Sequence, residues 1–169
     1  MKRVIALLLS AFLICTISAP AFAVNEIEES EITQFSYVVL DENGNVVKQG
    51  ITPDFKSRYS WGGITFGNNE TVYFRKADGT NFCCLKNTRV TSSITKDRNG
   101  DVQFGCLEVD GSTSSNGYYV HKVMVPGLGV TSYFSTGTPF YGSDTGFYVL
   151  IARNYTSDPM TITSASLTF

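Results

Sequence analysis

The sequence predicts an all-β protein: an antiparallel β-sandwich, with a jelly-roll as one form it could take, behind a cleaved signal peptide. Three observations carry this. No stretch after residue 23 repeats its apolar residues at the helical period, whereas short alternating runs recur throughout. Turn formers such as Asn43-Gly44, Asn68-Asn69, Asp78-Gly79 and Asn99-Gly100 separate those runs at short intervals, as in sandwiches and barrels. Finally, Phe147-Tyr148-Val149-Leu150-Ile151 is apolar on both faces, so both sides of that strand should be covered, as in the middle of a packed sheet.

Lys2 and Arg3 precede an almost wholly apolar run from Val4 to Ile17, and Ala21-Phe22-Ala23 has the small-x-small form of a cleavage site. Residues 1–23 therefore read as a Sec-type signal peptide, and the mature chain as secreted. A transmembrane anchor is the competing reading, but the run falls short of the roughly 20 residues a span needs, and Pro20 follows it. A lipidated Cys15 would need a small residue before it, where Ile14 stands. No later stretch is long and apolar enough to span a bilayer.

Removing 23 of 169 residues leaves 146, enough for one domain with a sizeable core. The mature chain keeps 11 of the 13 Lys and Arg against 15 Asp and Glu, a net charge of −4. A mildly acidic chain without a basic cluster argues against nucleic acid and against anionic membranes as partners.

Residues 24–32 carry four glutamates by Glu31 and little to bury, and read as a disordered acidic leader; a short helix would lack an apolar stripe. The β-sandwich domain is placed at 33–169. Its first strand alternates through Phe35, Tyr37 and Val39, and Asp41-Glu42-Asn43-Gly44-Asn45 reads as a hairpin turn into Val46-Val47. Gly50 to Phe55, with Pro53, reads as a connection. Gly62-Gly63, between Trp61 and Ile64, signals a bulge or a close backbone approach. Strands follow at Thr71–Arg75, from Asn81 through Leu85 toward Val90, at Ser93–Thr95, Val102–Val109, Tyr118–Val125 and Val130–Phe134. The loop Asp110–Gly117 is the most polar segment, and Thr136–Gly146 is a long Gly/Ser/Thr/Pro loop.

The chain should end in a hairpin, Phe147–Asn154 returning through Met160–Phe169 around Tyr155–Pro159. In the last run Met160 and Ile162 share one face while Ala165, Leu167 and Phe169 fall on the other. A two-residue period cannot turn both sets inward without an extra residue, so a bulge or sheet change is expected near Ser164.

Loss of Cys15 with the signal leaves Cys83, Cys84 and Cys106, which in an exported chain suggests one disulfide and one spare thiol. Adjacent strand residues face opposite ways, so only one of the pair can meet Cys106; Cys83–Cys106 is the expected bridge, with Cys84 the alternative partner and three buried thiols the competing reading. Three sulfurs without paired spacing, and one histidine, argue against zinc. Asp97, Asn99 and Asp101 open a calcium-loop spacing that continues to Gln103 and Glu108, but Val102 stands where a glycine is needed and the flanks are strands, so the plain β-turn of a second hairpin, echoing Asp41–Asn45, is expected. No cofactor is called for.

His121 lies mid-strand without a nucleophile or acid placed near it by the sequence, and Glu42, Glu70 and Glu108 are candidates for paired-carboxylate glycoside chemistry only if the fold brings two together. Asn69-Glu70-Thr71 and Asn154-Tyr155-Thr156 match the N-glycosylation acceptor. The mature chain keeps 20 of 22 aromatic residues. Most belong to the core, but Trp61, Tyr118, Tyr119 and Tyr141 lie beside glycines or loops, where flat rings can stack on sugars.

The leading expectation is thus a secreted, non-enzymatic binding module for a glycan or a surface partner. The runner-up is a toxin-like protein that inserts a hairpin from the Thr88–Thr95 and Gly111–Val125 regions into membranes. A small secreted hydrolase ranks third; it requires His121 or a glutamate in a cleft beside a second polar group.

Overall fold

The structure, a computed structural model, describes residues 35–52, 60–136 and 145–169. Residues 1–32, on which the expected signal peptide and acidic leader fall, part of the Pro53 connection, and Tyr141 with most of its loop lie outside the described residues. The described chain is all-β: twelve strands in two antiparallel sheets that face each other across one core.

In the seven-stranded sheet the order is β2 (Val46–Thr52), β1 (Phe35–Leu40), β5 (Thr71–Lys76), β11 (Thr145–Asn154), β8 (Val102–Val109), β9 (Gly117–Val125). A short β6 (Phe82–Leu85) pairs the first half of β11 while β5 pairs its second half, so the two lie end to end along one edge of β11. The five-stranded sheet runs β10 (Gly129–Ser135), β7 (Arg89–Lys96), β12 (Met160–Thr168), with β3 (Ser60–Trp61) and β4 (Ile64–Phe66) end to end on β12.

β11 is a central strand, and Tyr148 to Ile151 are buried on both of its faces. Tyr148, Leu150 and Ala152 enter the core between the sheets; Val149 and Ile151 join Leu107 and Val109 in a second cluster on the far face. The bulge foreseen in the last strand is present: the register of β12 against β7 shifts between Ile162 and Ser164, and Met160, Ile162, Ala165 and Leu167 are all buried. Gly62 and Gly63 stand opposite that irregularity, between Trp61, which pairs Ala165, and Ile64, which pairs Ile162. Gly63 takes φ +69°, a conformation that a side chain would strain.

Several expectations are corrected. The last two strands do not form a hairpin, because β11 belongs to one sheet and β12 to the other. Asp97–Asp101 likewise carries the chain between sheets rather than closing a hairpin. Here Asp97 ties the corner: its Oδ1 accepts from the Thr161 amide at 3.0 Å, and the Asp97 amide donates to the Thr161 carbonyl at 3.0 Å. That first bond, ahead of the Arg98 contact, holds the Asp97 carboxyl below its ordinary pKa. The run from Arg89 to Lys96 is one strand, set off from β6 by a turn in which Asn87 takes φ +60°.

The β1–β2 turn does close a hairpin. Asp41 Oδ1 accepts from the amides of Asn43 at 2.9 Å and Asn45 at 2.8 Å, and only Gly44 goes left-handed, at φ +83°.

Among the described residues no disulfide forms: Cys83, Cys84 and Cys106 are free thiols. The topology explains this. Cys83 and Cys84 lie opposite Phe147 and Gly146 on one edge of β11, while Cys106 pairs Leu150 on the other edge. Two strand spacings separate them, about 9.5 Å, beyond the roughly 7 Å that a cystine can bridge.

Trp61 is 0% exposed and is no candidate for ligand stacking. It sits between Phe35 and Phe74, each 5.1 Å away centroid to centroid, with Phe82 edge-on at 5.8 Å. Its indole N–H donates to the carbonyls of Ser36 at 3.2 Å and Arg75 at 3.3 Å, bonding β3 of one sheet to β1 and β5 of the other. A buried Trp must place its N–H, and here that need joins the two layers.

Candidate functional site

The site is built on the outward face of the seven-stranded sheet, opposite the core. Strand alternation sends Gln103, Leu107 and Val109 outward on β8, and Phe147, Val149, Ile151 and Arg153 outward on β11, with Tyr73 and Arg75 beside them on β5. Leu107, Val109, Val149 and Ile151 form a buried apolar floor, against which Tyr73 and Phe147 pack.

On β9, simple alternation would put Tyr119 on the same face as His121, Val123 and Val125, toward the core. A bulge overrides it. His121 pairs Cys106 and Tyr119 pairs Leu107, leaving Val120 as the extra residue. Tyr119 is thereby turned outward, beside Leu107 and on the face that presents Lys122 and Met124. The same shift puts Tyr118 opposite Glu108. Tyr118 and Tyr119, 57% and 39% exposed, therefore serve opposite faces of the sheet and do not form one site.

Tyr155, which the sequence did not single out, completes the face. Its amide donates to the Asp101 carbonyl at 3.0 Å and its hydroxyl donates to Gln103 Oε1 at 3.0 Å, so the ring lies across the end of β8, 45% exposed. Burial raises the Tyr119 phenol pKa, the neighbouring Tyr155 and Tyr73 phenols raise it further, and Arg153 opposes them. Tyr73 is likewise raised by burial and lowered by Arg153 and Arg75. The three tyrosines and Arg153 thus share one electrostatic neighbourhood.

Each exposed ring carries a cation. Lys122 Nζ lies 5.3 Å from the Tyr119 centroid, and the Arg153 guanidinium 5.2 Å from that of Tyr155. Neither cation is ion-paired among the described residues, and the buried Arg153 Nε has no hydrogen-bond partner there. A cation resting on an exposed ring is held by about 0.5–1 kcal/mol, whereas a hydrogen bond to a charged group is worth about 1.5–3 kcal/mol. An arriving acceptor can therefore lift either cation and uncover the ring beneath.

The other candidates are dispersed. Glu42 lies in the β1–β2 turn, Glu70 accepts from the Gly67 amide at 2.5 Å, and Glu108 is fully buried on β8, so no two form a catalytic pair. His121 and Cys106 are register partners, but His121 Nε2 makes no hydrogen bond and its ring stacks on Phe134. Burial raises the Cys106 thiol, which disfavours the thiolate that a nucleophile needs. Asn154 is no glycan acceptor: it is 0% exposed, its Nδ2 donates to the Asp158 carbonyl at 2.9 Å, and its Oδ1 accepts from the Thr156 amide at 2.8 Å and hydroxyl at 2.7 Å. Asp97 spends its oxygens on Thr161 and Arg98, and Asp97, Asn99 and Asp101 form no metal-holding cluster among the described residues. Among those residues no helix is long and apolar enough to cross a membrane.

Comparison with protein-family models finds no match, and a search of curated proteins finds no relative.

Proposed function

We propose that this chain is an exported, non-enzymatic glycan-binding module whose binding surface is the outward face of the seven-stranded sheet, with Tyr119 and Tyr155 as stacking rings and Tyr73 across the apolar floor from Tyr119. One observation carries the reading: a bulge at Val120 turns Tyr119 out of the core and onto the face already holding Tyr155, Gln103 and Arg153. Bulges recur where a sheet must re-aim a side chain. Flat rings on a rigid sheet offer sugar faces a large contact at small entropic cost, and Gln103, Lys122 and Arg153 supply hydrogen bonds around them. Of the rings expected from the sequence, Tyr119 remains, Trp61 is excluded by burial, and Tyr141 lies outside the described residues.

The test is calorimetric titration of the mature chain with neutral and charged oligosaccharides, alongside Tyr119→Ala and Tyr155→Ala. Binding weakened about tenfold or more by each substitution, a loss of about 1.4 kcal/mol, supports the reading. Silence across the panel, or variants that bind as the parent does, would sink it.

A further inference from the structure

From the placement of cations over both exposed rings, we infer that the glycan this face takes is acidic, carrying the carboxylate of a uronic-acid-type sugar. The inference rests on the glycan-binding reading and adds the substrate class. Lys122 covers the Tyr119 ring and Arg153 the Tyr155 ring. A neutral sugar must displace both cations and gains no charge in return. A sugar bearing a carboxylate draws the cation into a charge-assisted hydrogen bond and finds the vacated ring beside it.

Three further features agree. Neither cation has an ion-pair partner among the described residues, so no internal carboxylate competes. Arg75, on the same face, already donates from one guanidinium nitrogen to Ser115 Oγ at 2.7 Å while its buried Nε has no partner; it adds positive potential at the far side of Tyr73. The chain as a whole carries −2, so the positive character of this face is local rather than compositional. That sparse charge also separates carboxylates from sulfates. A few cations on an acidic protein match one planar carboxylate per sugar, which the guanidinium fork fits in its own plane, and cannot neutralise a densely sulfated chain.

The experiment compares the mature chain's affinity for a uronic-acid oligosaccharide, its carboxyl-reduced neutral counterpart, and dextran sulfate. The expected result is at least about tenfold tighter binding of the uronide than of its reduced form, shrinking at about 0.5 M salt. Arg153→Gln and Lys122→Gln should each narrow that ratio, while Lys48→Gln, on the opposite edge strand of the sheet, should leave it unchanged. Circular dichroism of each variant confirms the fold. Equal binding of the uronide and its reduced form overturns the inference and leaves the glycan reading standing, as does tighter binding of dextran sulfate. Failure of all three sugars to bind removes both.

Discussion

His121 lies flat against Phe134, with ring centroids 4.7 Å apart and planes 8° from parallel. His121 is on β9, the last strand of one sheet, and Phe134 on β10, the last strand of the other, so this stack closes the sandwich along one side. Burial lowers the His121 pKa from its ordinary 6.5. Above that value the ring is neutral in folded and unfolded chains alike, and its contribution to stability is fully present. As pH falls below it, the unfolded chain takes a proton that the folded chain refuses until pH passes the lowered folded value, so stability falls. Melting temperature should begin to drop as pH falls through about 6.5, and His121→Phe should flatten that drop. An unchanged slope in the variant would show that other groups set the acid sensitivity.

The cysteines differ in reactivity by position. Cys83 is exposed, Cys84 is half-buried with burial pushing its thiol up to about 12, and Cys106 is buried. A thiol reagent at about pH 8 should modify Cys83 quickly and the other two only in denaturant. Mass spectrometry of the chain labelled in its native state reads out the pattern, and any Cys83–Cys106 or Cys84–Cys106 crosslink from native protein would contradict the topology.

Trp61 is enclosed by Phe35, Phe74 and Phe82. Its fluorescence should be blue-shifted in the folded protein and insensitive to glycan. Trp61→Ala should cost about 3–5 kcal/mol in denaturant melts. A ligand that shifts the emission directly would mean that the core opens on binding.

Asn154 holds the turn after β11 through Phe66, Thr156 and Asp158. Asn154→Ala should destabilise by about 3 kcal/mol, because it strands buried polar partners. Asn154→Asp, which keeps the acceptor oxygen but loses the donor, should also destabilise. Expression in a glycosylating host should leave this position unmodified, as a peptide map will show.

What could be read in the sequence was local. The five-residue apolar run of β11 announces a strand covered on both sides, since nothing else explains Tyr148, Val149, Leu150 and Ile151 together. The parity conflict in β12 announces its bulge for the same reason: Ile162 and Ala165 must both be inside. The Val120 bulge left no such mark, because Tyr118-Tyr119-Val120-His121 has no parity conflict, and each residue tolerates either face. Tyr155 was hidden as well, its turn setting bearing no trace of the Gln103 it reaches. The connections Asp97–Asp101 and Tyr155–Pro159 look like hairpins in the sequence because turn residues record that a chain reverses, not which sheet receives the next strand. The glycines beside Trp61, which suggest a ligand in the sequence, serve the irregularity in β12 instead.

The two strands nearest the C-terminus are the middle of their sheets: β11 separates β5 and β6 from β8, and β12 separates β7 from β3 and β4. A nascent chain that stops short of residue 145 therefore owns the flanks of two layers with no keystone for either, and most of its strands wait for partners not yet made. Neither sheet can close before residues 145–168 join it, so losing those two strands should damage this domain more than losing the edge strand β2.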